Sequence, residues 1–265
     1  MLKTVITALL AAGLVLLGAC TTSPTGRSQL AIMPDSQLDQ MGLQAFDTLK
    51  TKKPPLTDNR INGYVHCVAD AITRGVGGGA WEVAVFDDKT PNAFALPGGK
   101  IGVHSGLLNV AQNQHQLAAV IGHEVAHVIA RHSNERVSQE FAVQSGMSLI
   151  QALGAPQSGM GQMLMGLLGA GAQVGILLPY SRLHESEADT IGLDYMAQAG
   201  FDPRQSIDLW VNMERAGSGQ PIEFLSTHPS HSTRLQELNS HMPRAMQLRQ
   251  QALAMGKNPQ CDQYR

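Results

Sequence analysis

Apolar residues recur three and four positions apart through six segments of the chain, which indicates helices with one buried face. These segments are residues 35–50, 57–74, 113–136, 182–199, 203–216 and 230–255. The third begins at Asn113 or at Asn109, since either side chain can cap a helix. Polar residues, proline and glycine separate the segments and predict the connecting turns.

Three short runs between the second and third helices are predicted to be strands, at residues 81–86, 92–96 and 100–103, and the first of them is rich in β-branched and aromatic residues. Pro97-Gly98-Gly99 turns the chain, so the last run returns antiparallel to the one before it. There is no internal repeat and no second set of core positions. The pattern predicts one α+β domain, mostly helical, with a small antiparallel sheet.

The first residues have the pattern of an export signal. Lys3 precedes an apolar run, and Leu17-Gly18-Ala19-Cys20 resembles the lipobox of bacterial lipoproteins. We expect residues 1–19 to be a signal peptide and Cys20 to be the lipidated first residue of the mature protein. An ordinary secretory signal or an uncleaved anchor helix is the alternative. Residues 20–34 then form a tether to a domain at residues 35–265.

The residue after Cys20 is Thr21 and not Asp. This implies retention at the outer membrane of a Gram-negative cell, on its periplasmic face. In that oxidising compartment Cys67 and Cys261 are expected to pair, and two separate buried thiols are the alternative.

The sequence excludes two classes of partner, nucleic acid and nucleotides. The formal net charge is -2 and no cluster of lysine and arginine is interleaved with aromatics, which excludes nucleic acid. The glycine run at residues 75–79 lacks a following Lys-Ser/Thr and precedes a strand, which excludes a nucleotide.

No charged residue lies between Glu140 and Arg182. This stretch is predicted to cover the active site or to lie against lipid, and a membrane span is the alternative.

The sequence His123-Glu124-Val125-Ala126-His127 carries the chemistry. Two histidines four residues apart project from one face of a helix, where neutral imidazoles bind Zn²⁺ well. Glu124 is placed to activate a zinc-bound water as general base. Two surface histidines on an amphipathic helix are the alternative. Ala130 and Ser133 stand where an extended HExxHxxGxxH motif needs Gly and His, so the third ligand comes from another segment.

Glu185 and Asp189 are four residues apart at the start of a predicted helix and share one face. Glu185 can bind the metal, while Asp189 can accept a hydrogen bond from the outer nitrogen of a ligand histidine. Glu187 is the less favoured ligand. An acidic helix start, stabilised by the helix dipole, is the alternative without function. Two histidines and a carboxylate could also hold Fe²⁺, but the spacing favours one Zn²⁺ per chain.

These motifs together resemble metallopeptidase family forty-eight, the HtpX-type and CAAX-prenyl-protease gluzincins. The resemblance rests on residues 92–99, 123–127, 178–192 and 227–229 and on Arg234, in the family's order. Within the family, the lipidated periplasmic branch, related to outer-membrane assembly quality-control peptidases and to mitochondrial Oma-type peptidases, is most similar. The resemblance implies a zincin fold.

The resemblance also implies roles for residues outside the zinc motif. His228, with Arg234, would stabilise the oxyanion, and family members also use this histidine as an inhibitory zinc contact. A structural histidine that caps a helix is the alternative for His228. The substrate-binding edge strand would contain Asn92, Ala93, Phe94 and Ala95.

The function expected from these features is zinc-dependent endopeptidase action on unfolded or misassembled envelope proteins, with the membrane contacted through lipid on Cys20. Two other functions stay open. One is a periplasmic chaperone or assembly factor with latent proteolysis. The other is zinc-dependent hydrolysis of a lipid or of a peptidoglycan stem.

Overall fold

The computed structural model describes residues 20–77, 79–152, 180–217, 223–229 and 232–265. The signal peptide predicted over residues 1–19 lies outside this part of the chain, as does most of the uncharged stretch. Contacts divide the chain into a smaller unit, Met1–Asp35 with Arg131–Leu178, and a larger unit, Ser36–Ala130 with Pro179–Arg265. The sequence-based domain boundaries stay predictions.

The described residues form eight α-helices and five strands. The helices are α1 (Asp35–Lys52), α2 (Asn59–Thr73), α3 (Gln114–Ile129), α4 (His132–Ala152), α5 (Arg182–Gln198), α6 (Gln205–Gly217), α7 (Glu223–Thr227) and α8 (Arg234–Ala254). The strands are β1 (Cys20–Thr22), β2 (Ser28–Leu30), β3 (Glu82–Phe86), β4 (Ala93–Leu96) and β5 (Lys100–His104). Over this part of the chain, no helix combines the length and the apolar character that a membrane span requires.

In the smaller unit, the segment predicted as a tether forms an antiparallel hairpin of β1 and β2. Gly26, at φ +89°, makes its turn. The hairpin is fastened to α4 by Arg27, whose two terminal nitrogens donate to the Glu135 carboxylate at 2.7 and 2.6 Å. Asn134 adds hydrogen bonds in both directions to the backbone of Met33. The serine, threonine and glycine of this segment therefore serve turn geometry and docking.

In the larger unit, three strands form one sheet in the order β3-β5-β4. β4 and β5 are antiparallel, as the Pro97-Gly98-Gly99 turn predicts, but β5 lies parallel to β3. The sheet is therefore mixed, a detail that differs from the small antiparallel sheet expected. The reason is that β5 inserts between β3 and β4, which leaves β4 at the edge.

Helix α3 contacts α2, α5, α6 and β4 within the larger unit. It ends at Ile129 and not near Arg136 as predicted, because Arg131 adopts φ 58° and a separate helix, α4, begins at His132. Helix α7 was not predicted from the sequence, since five residues are too few to show a helical repeat.

The C-terminal segment is fastened to the beginning of α3. Cys261 forms a disulfide with Cys67 in α2, across a sequence separation of 194 residues. The neighbouring Asp262 carboxylate accepts a hydrogen bond from the backbone N–H of Gln114, the first residue of α3, at 3.0 Å. A carboxylate at this position favours the helix through its dipole.

Two glycines allow α3 and α5 to approach closely. A Cβ atom on Gly192 would lie 2.7 Å from the backbone nitrogen of His123, and one on Gly122 would lie 2.8 Å from the carbonyl oxygen of Gly192. Both clashes involve backbone, which cannot move aside as a flexible side chain can. The crossing therefore needs glycine at both positions, and it sets the distance between the two helices that carry the site.

We expect Gly192→Ala to lower the free energy of unfolding by about 1–3 kcal/mol, because overpacking at backbone outweighs the better helix propensity of alanine. Gly63→Ala is the matched control, since Gly63 also lies in a helix but a Cβ there would meet only the Tyr264 ring at 3.4 Å. Urea unfolding followed by circular dichroism measures both. Equal stability of Gly192→Ala and the parent protein would contradict the prediction.

Candidate metal centre

Helix α3 presents His123 and His127 on one face, one turn apart. Their Nε2 atoms are 3.1 Å apart, and both rings are buried. The Asn113 side chain caps this helix by accepting hydrogen bonds from the backbone of His115 and Gln116. The HExxH spacing thus brings two imidazole nitrogens to one point, as predicted from the sequence.

Helix α5 brings Glu185 to the same point. Its Oε2 lies 3.5 Å from His123 Nε2 and its Oε1 lies 3.4 Å from His127 Nε2. The carboxylate is fully buried. Ser181 caps α5 and accepts from the backbone N–H of His184, which starts the helix one turn before the carboxylate. Glu187 is not part of this group.

His228, just beyond α7, supplies a fourth donor atom. Its Nδ1 lies 3.2 Å from His123 Nε2 and 3.2 Å from Glu185 Oε1. Ligand atoms of His123, His127, Glu185 and His228 all fall within 4.8 Å of one another. Tetrahedral Zn²⁺ with bonds of about 2.0–2.2 Å places its ligand atoms roughly 3.3–3.6 Å apart. The donor set and its spacing therefore fit zinc.

Asp189 and Arg234 contact the candidate ligands on the side away from the centre. Asp189 Oδ1 lies 2.8 Å from His123 Nδ1, the ring nitrogen that faces away from the centre. This is where the sequence placed Asp189, and such a contact fixes the tautomer and orientation of the ring. Arg234, in α8, donates to Glu185 and Asp189, each at 2.6 Å. The role predicted for Arg234 at the oxyanion stays a prediction.

Glu124 lies between this centre and strand β4. Its Oε2 accepts a hydrogen bond from the backbone N–H of Ala95 at 3.2 Å. Its Oε1 accepts no hydrogen bond from the described residues and lies 3.4 Å from His228 Nε2. One carboxylate oxygen thus binds the edge strand, while the other faces His228 and could accept a proton.

The two glutamates of the centre have opposite pKa shifts. Burial raises the pKa of Glu124 above its ordinary value, against the lowering effect of His228 and His123. Burial acts in the same direction on Glu185, but hydrogen bonds with His123, His127 and His228 outweigh it and hold the pKa below the ordinary range. Environment therefore suits Glu185 to stay ionised as a ligand and Glu124 to take up a proton.

Excess negative charge surrounds the His123 ring. Burial lowers the pKa of this imidazole, but hydrogen bonds with Asp189 and Glu185 outweigh that effect and raise the pKa to about 10. Such an environment favours a cation at the centre.

Strand β4 turns one backbone edge away from the sheet. Asn92 C=O accepts from His104 N–H on β5, so Asn92, Phe94 and Leu96 direct their backbone groups to β5. The alternating pattern of an antiparallel pair then directs those of Ala93 and Ala95 outward. The bond from Ala95 N–H to Glu124 agrees with this assignment.

The four residues predicted to bind substrate therefore differ in what they present. Ala93 and Ala95 offer outward backbone groups, whereas the Phe94 ring packs near Phe46 and Phe86. The Oδ1 atom of Asn92 is buried and has no hydrogen-bond partner within the part of the chain that the structure describes.

Three aromatic residues around the centre had no role in the sequence-based prediction. The Tyr180 ring stacks on His127 with centroids 3.9 Å apart, and Phe224 stacks on His228 at 4.5 Å. Trp210 lies under the guanidinium of Arg234, 3.8 Å from its Cζ to the ring centroid. Tyr180 belongs to a family-like segment and Trp210 to an apolar helix face, but neither signal indicates contact with the centre.

Comparison with known proteins agrees with this geometry. The family description "Peptidase family M48" matches residues 55–242, well over half of the chain. The chain belongs to peptidase family M48. The family predicted from the sequence is thereby confirmed, as is the α+β zincin-like fold class. M48 metallopeptidases use zinc, and the cluster of three histidines and one glutamate can hold it.

Individual relatives include mitochondrial and bacterial proteins. Mitochondrial metalloendopeptidase OMA1 of Schizosaccharomyces pombe is 42% identical over 167 residues, which cover 62% of this chain and 48% of the relative. The human metalloendopeptidase OMA1 is 35% identical over 178 residues, 64% of this chain and 34% of the relative. The Escherichia coli beta-barrel assembly-enhancing protease is 29% identical over 242 residues, 87% of this chain and 48% of the relative. The chain spans about half or less of these relatives.

We expect Glu185→Ala to lose most bound zinc on dialysis, because it removes the one negatively charged ligand candidate of the cluster. Glu187→Ala is the matched control, a glutamate on the same helix that does not join the cluster. Metal content per chain, measured by mass spectrometry of dialysed protein, compares the two. Retention of zinc by Glu185→Ala, with loss in Glu187→Ala, would assign the ligand to Glu187 instead.

Proposed function

We propose that this chain is a zinc metalloendopeptidase that cleaves unfolded or misassembled proteins of the cell envelope. The observation that carries the proposal is the position of Glu124, with one carboxylate oxygen on the edge strand and the other beside the metal-ligand cluster. Membership of family M48 supports the same reaction class.

The residues divide the work of peptide hydrolysis. Bound zinc would supply Lewis acidity that polarises the scissile carbonyl and lowers the pKa of water. His123, His127 and Glu185 would hold it. Glu124 would accept a proton from the attacking water and pass it to the leaving amine, a task that suits a buried carboxylate of raised pKa. Asp189 would keep the His123 ring in position.

An extended substrate would pair with the outward edge of β4. The backbone groups of Ala93 and Ala95 would bond with the substrate main chain, and the unpaired Asn92 Oδ1 could accept a substrate N–H. Recognition through the main chain depends little on side chains. Loose sequence preference, as expected for a peptidase that acts on unfolded proteins, follows from this mode.

His228 would compete with substrate for the centre. Its Nδ1 is the fourth donor atom of the ligand group, and all four residues are buried. A peptide carbonyl would have to bind where His228 Nδ1 lies, so His228 would have to move away before cleavage. This supports the inhibitory contact implied by the resemblance, and the oxyanion role would belong to the withdrawn position.

The envelope location rests on the sequence and on one relative. We propose that residues 1–19 are removed, that lipid on Cys20 holds the protein at the periplasmic face of the outer membrane, and that residues 35–265 form the peptidase domain. The Escherichia coli relative is by name a protease that enhances β-barrel assembly, which supports envelope proteins as substrates.

A chaperone or assembly factor with latent proteolysis is the second candidate. The burial of the four ligand residues supports it, because His228 would have to move before a substrate carbonyl could reach the centre. The two candidates differ in whether the purified protein hydrolyses peptide bonds at all.

We expect Glu124→Gln to lower casein cleavage by about 10²–10⁴-fold while zinc content stays unchanged, because only the proton acceptor is lost. Glu214→Gln, an exposed glutamate on α6, is the control and should cleave normally. Zinc-loaded wild-type protein that leaves casein intact while it suppresses aggregation would support the chaperone instead. The Glu124→Gln protein also traps substrates from an envelope fraction for mass spectrometry.

We expect His228→Ala, loaded with zinc, to cleave casein faster than the wild type, since the fourth coordination position is then open. The comparison uses initial rates at equal zinc occupancy. A slower rate with full zinc occupancy would contradict inhibition and support the catalytic role predicted for His228.

A further inference from the structure

Arg234 is the largest fully buried side chain of the described residues, at 1% exposure. It is the first residue of α8, whereas the carboxylates it binds lie on α5. Its Nε donates to Asp189 Oδ2 and its Nη2 to Glu185 Oε2, both at 2.6 Å. A single planar guanidinium thus joins a metal-ligand candidate to the residue that orients a second one.

Arg234 brings a positive charge to two carboxylates of the centre. Its guanidinium forms ion pairs with Glu185 and Asp189, and all three side chains are buried. Buried charges are costly unless they are paired and hydrogen-bonded, so each of these groups needs the others.

The Arg234 guanidinium also orients the two carboxylates that it binds. Asp189 and Glu185 share a face of α5, where two adjacent carboxylates repel each other. With Oδ2 bound to Arg234, Asp189 turns Oδ1 to His123 Nδ1 at 2.8 Å. With Oε2 bound, Glu185 keeps its Oε1 within 3.4 Å of His127 Nε2. Arg234 therefore orients Glu185 directly and His123 through Asp189.

Neighbouring contacts hold Arg234 itself in place. Glu237, one turn further along α8, accepts hydrogen bonds from Ser186 of α5 and from Thr233, both at 2.6 Å. The Trp210 ring lies against the guanidinium at 3.8 Å. The first turn of α8 is consequently fastened to the turn of α5 that carries Glu185.

We propose that Arg234 is a positioning residue, which aligns Glu185 and His123 for metal binding. This role uses its Nε and Nη2 donors, which bind Asp189 and Glu185. The oxyanion role that the resemblance implies for Arg234 stays a separate prediction. The inference rests on the proposed zinc site, but not on peptide hydrolysis.

The test compares zinc affinity across three variants of the full chain, with a chromophoric chelator as competitor. Arg234→Met should weaken zinc binding by about 10–100-fold, the usual effect of losing an outer contact to a ligand. Arg234→Lys should recover part of the loss, since an ammonium restores the charge but not the fork. Arg244→Met is the matched control and should bind as the wild type does. Arg244 also joins α8 to α5, through Asp194 at 3.0 Å, but it is 65% exposed and outside the centre.

Co²⁺ absorption provides a readout that a loss of stability would not change. Measurements are made where circular dichroism shows each variant folded. Arg234→Met should alter the intensity of the visible Co²⁺ bands, because the geometry of the ligands changes. Unchanged zinc affinity and an unchanged Co²⁺ spectrum in Arg234→Met would overturn the inference and leave Arg234 a structural residue. If the Met variant does not fold, Arg234→Lys decides: affinity equal to the wild type overturns the inference.

The outcomes also separate this inference from the proposed function. A wild-type protein that binds no zinc contradicts the proposed metal site itself. A wild-type protein that binds zinc, with Arg234→Met as tight, contradicts only the positioning role. Casein cleavage enters neither comparison.

Discussion

The metal centre depends on the close crossing of helices α3 and α5. Gly122 and Gly192 allow backbone to meet backbone there, and no other residue fits without a shift of the helices. The crossing brings the two histidines of α3 opposite the acidic turn of α5. Interiors are close-packed and stiff, so a gap of one methyl group between these helices would be felt at the centre. Ligand spacing is thus decided by two residues that bind no metal.

The second constraint is that a charged centre is buried inside an apolar core. Every carboxylate of the centre has a partner on at least one oxygen: Asp189 meets His123 and Arg234, Glu185 meets Arg234, and Glu124 meets the backbone of Ala95. Low dielectric strengthens these contacts and makes each missing one costly. Different surroundings then give identical side chains different tasks, with Glu185 held ionised and Glu124 favouring its proton.

Helical spacing made much of the centre predictable. His123 and His127 share a face of one helix, with Glu124 next to the first of them. Glu185 and Asp189 share a face of another helix, so local periodicity alone predicts both pairs. The hairpin of β4 and β5 was predictable from Pro97-Gly98-Gly99, because turn residues are also a local signal. Long-range contacts were not readable: Tyr180 on His127, Trp210 under Arg234 and the parallel pairing of β3 with β5 join segments far apart in the chain.

The sequence by itself indicated the reaction class. HExxH with a later Glu-x-x-x-Asp predicts which side chains can bind a metal, because the residue types and their helical spacing are both local features. Tertiary structure alone decided how the donors meet. It placed His228 Nδ1 beside the other three donor atoms and the Arg234 guanidinium against Glu185 and Asp189. It also left Ala93 and Ala95 in the edge strand of the sheet. These depend on packing between helices and strands distant in sequence, which no local pattern encodes.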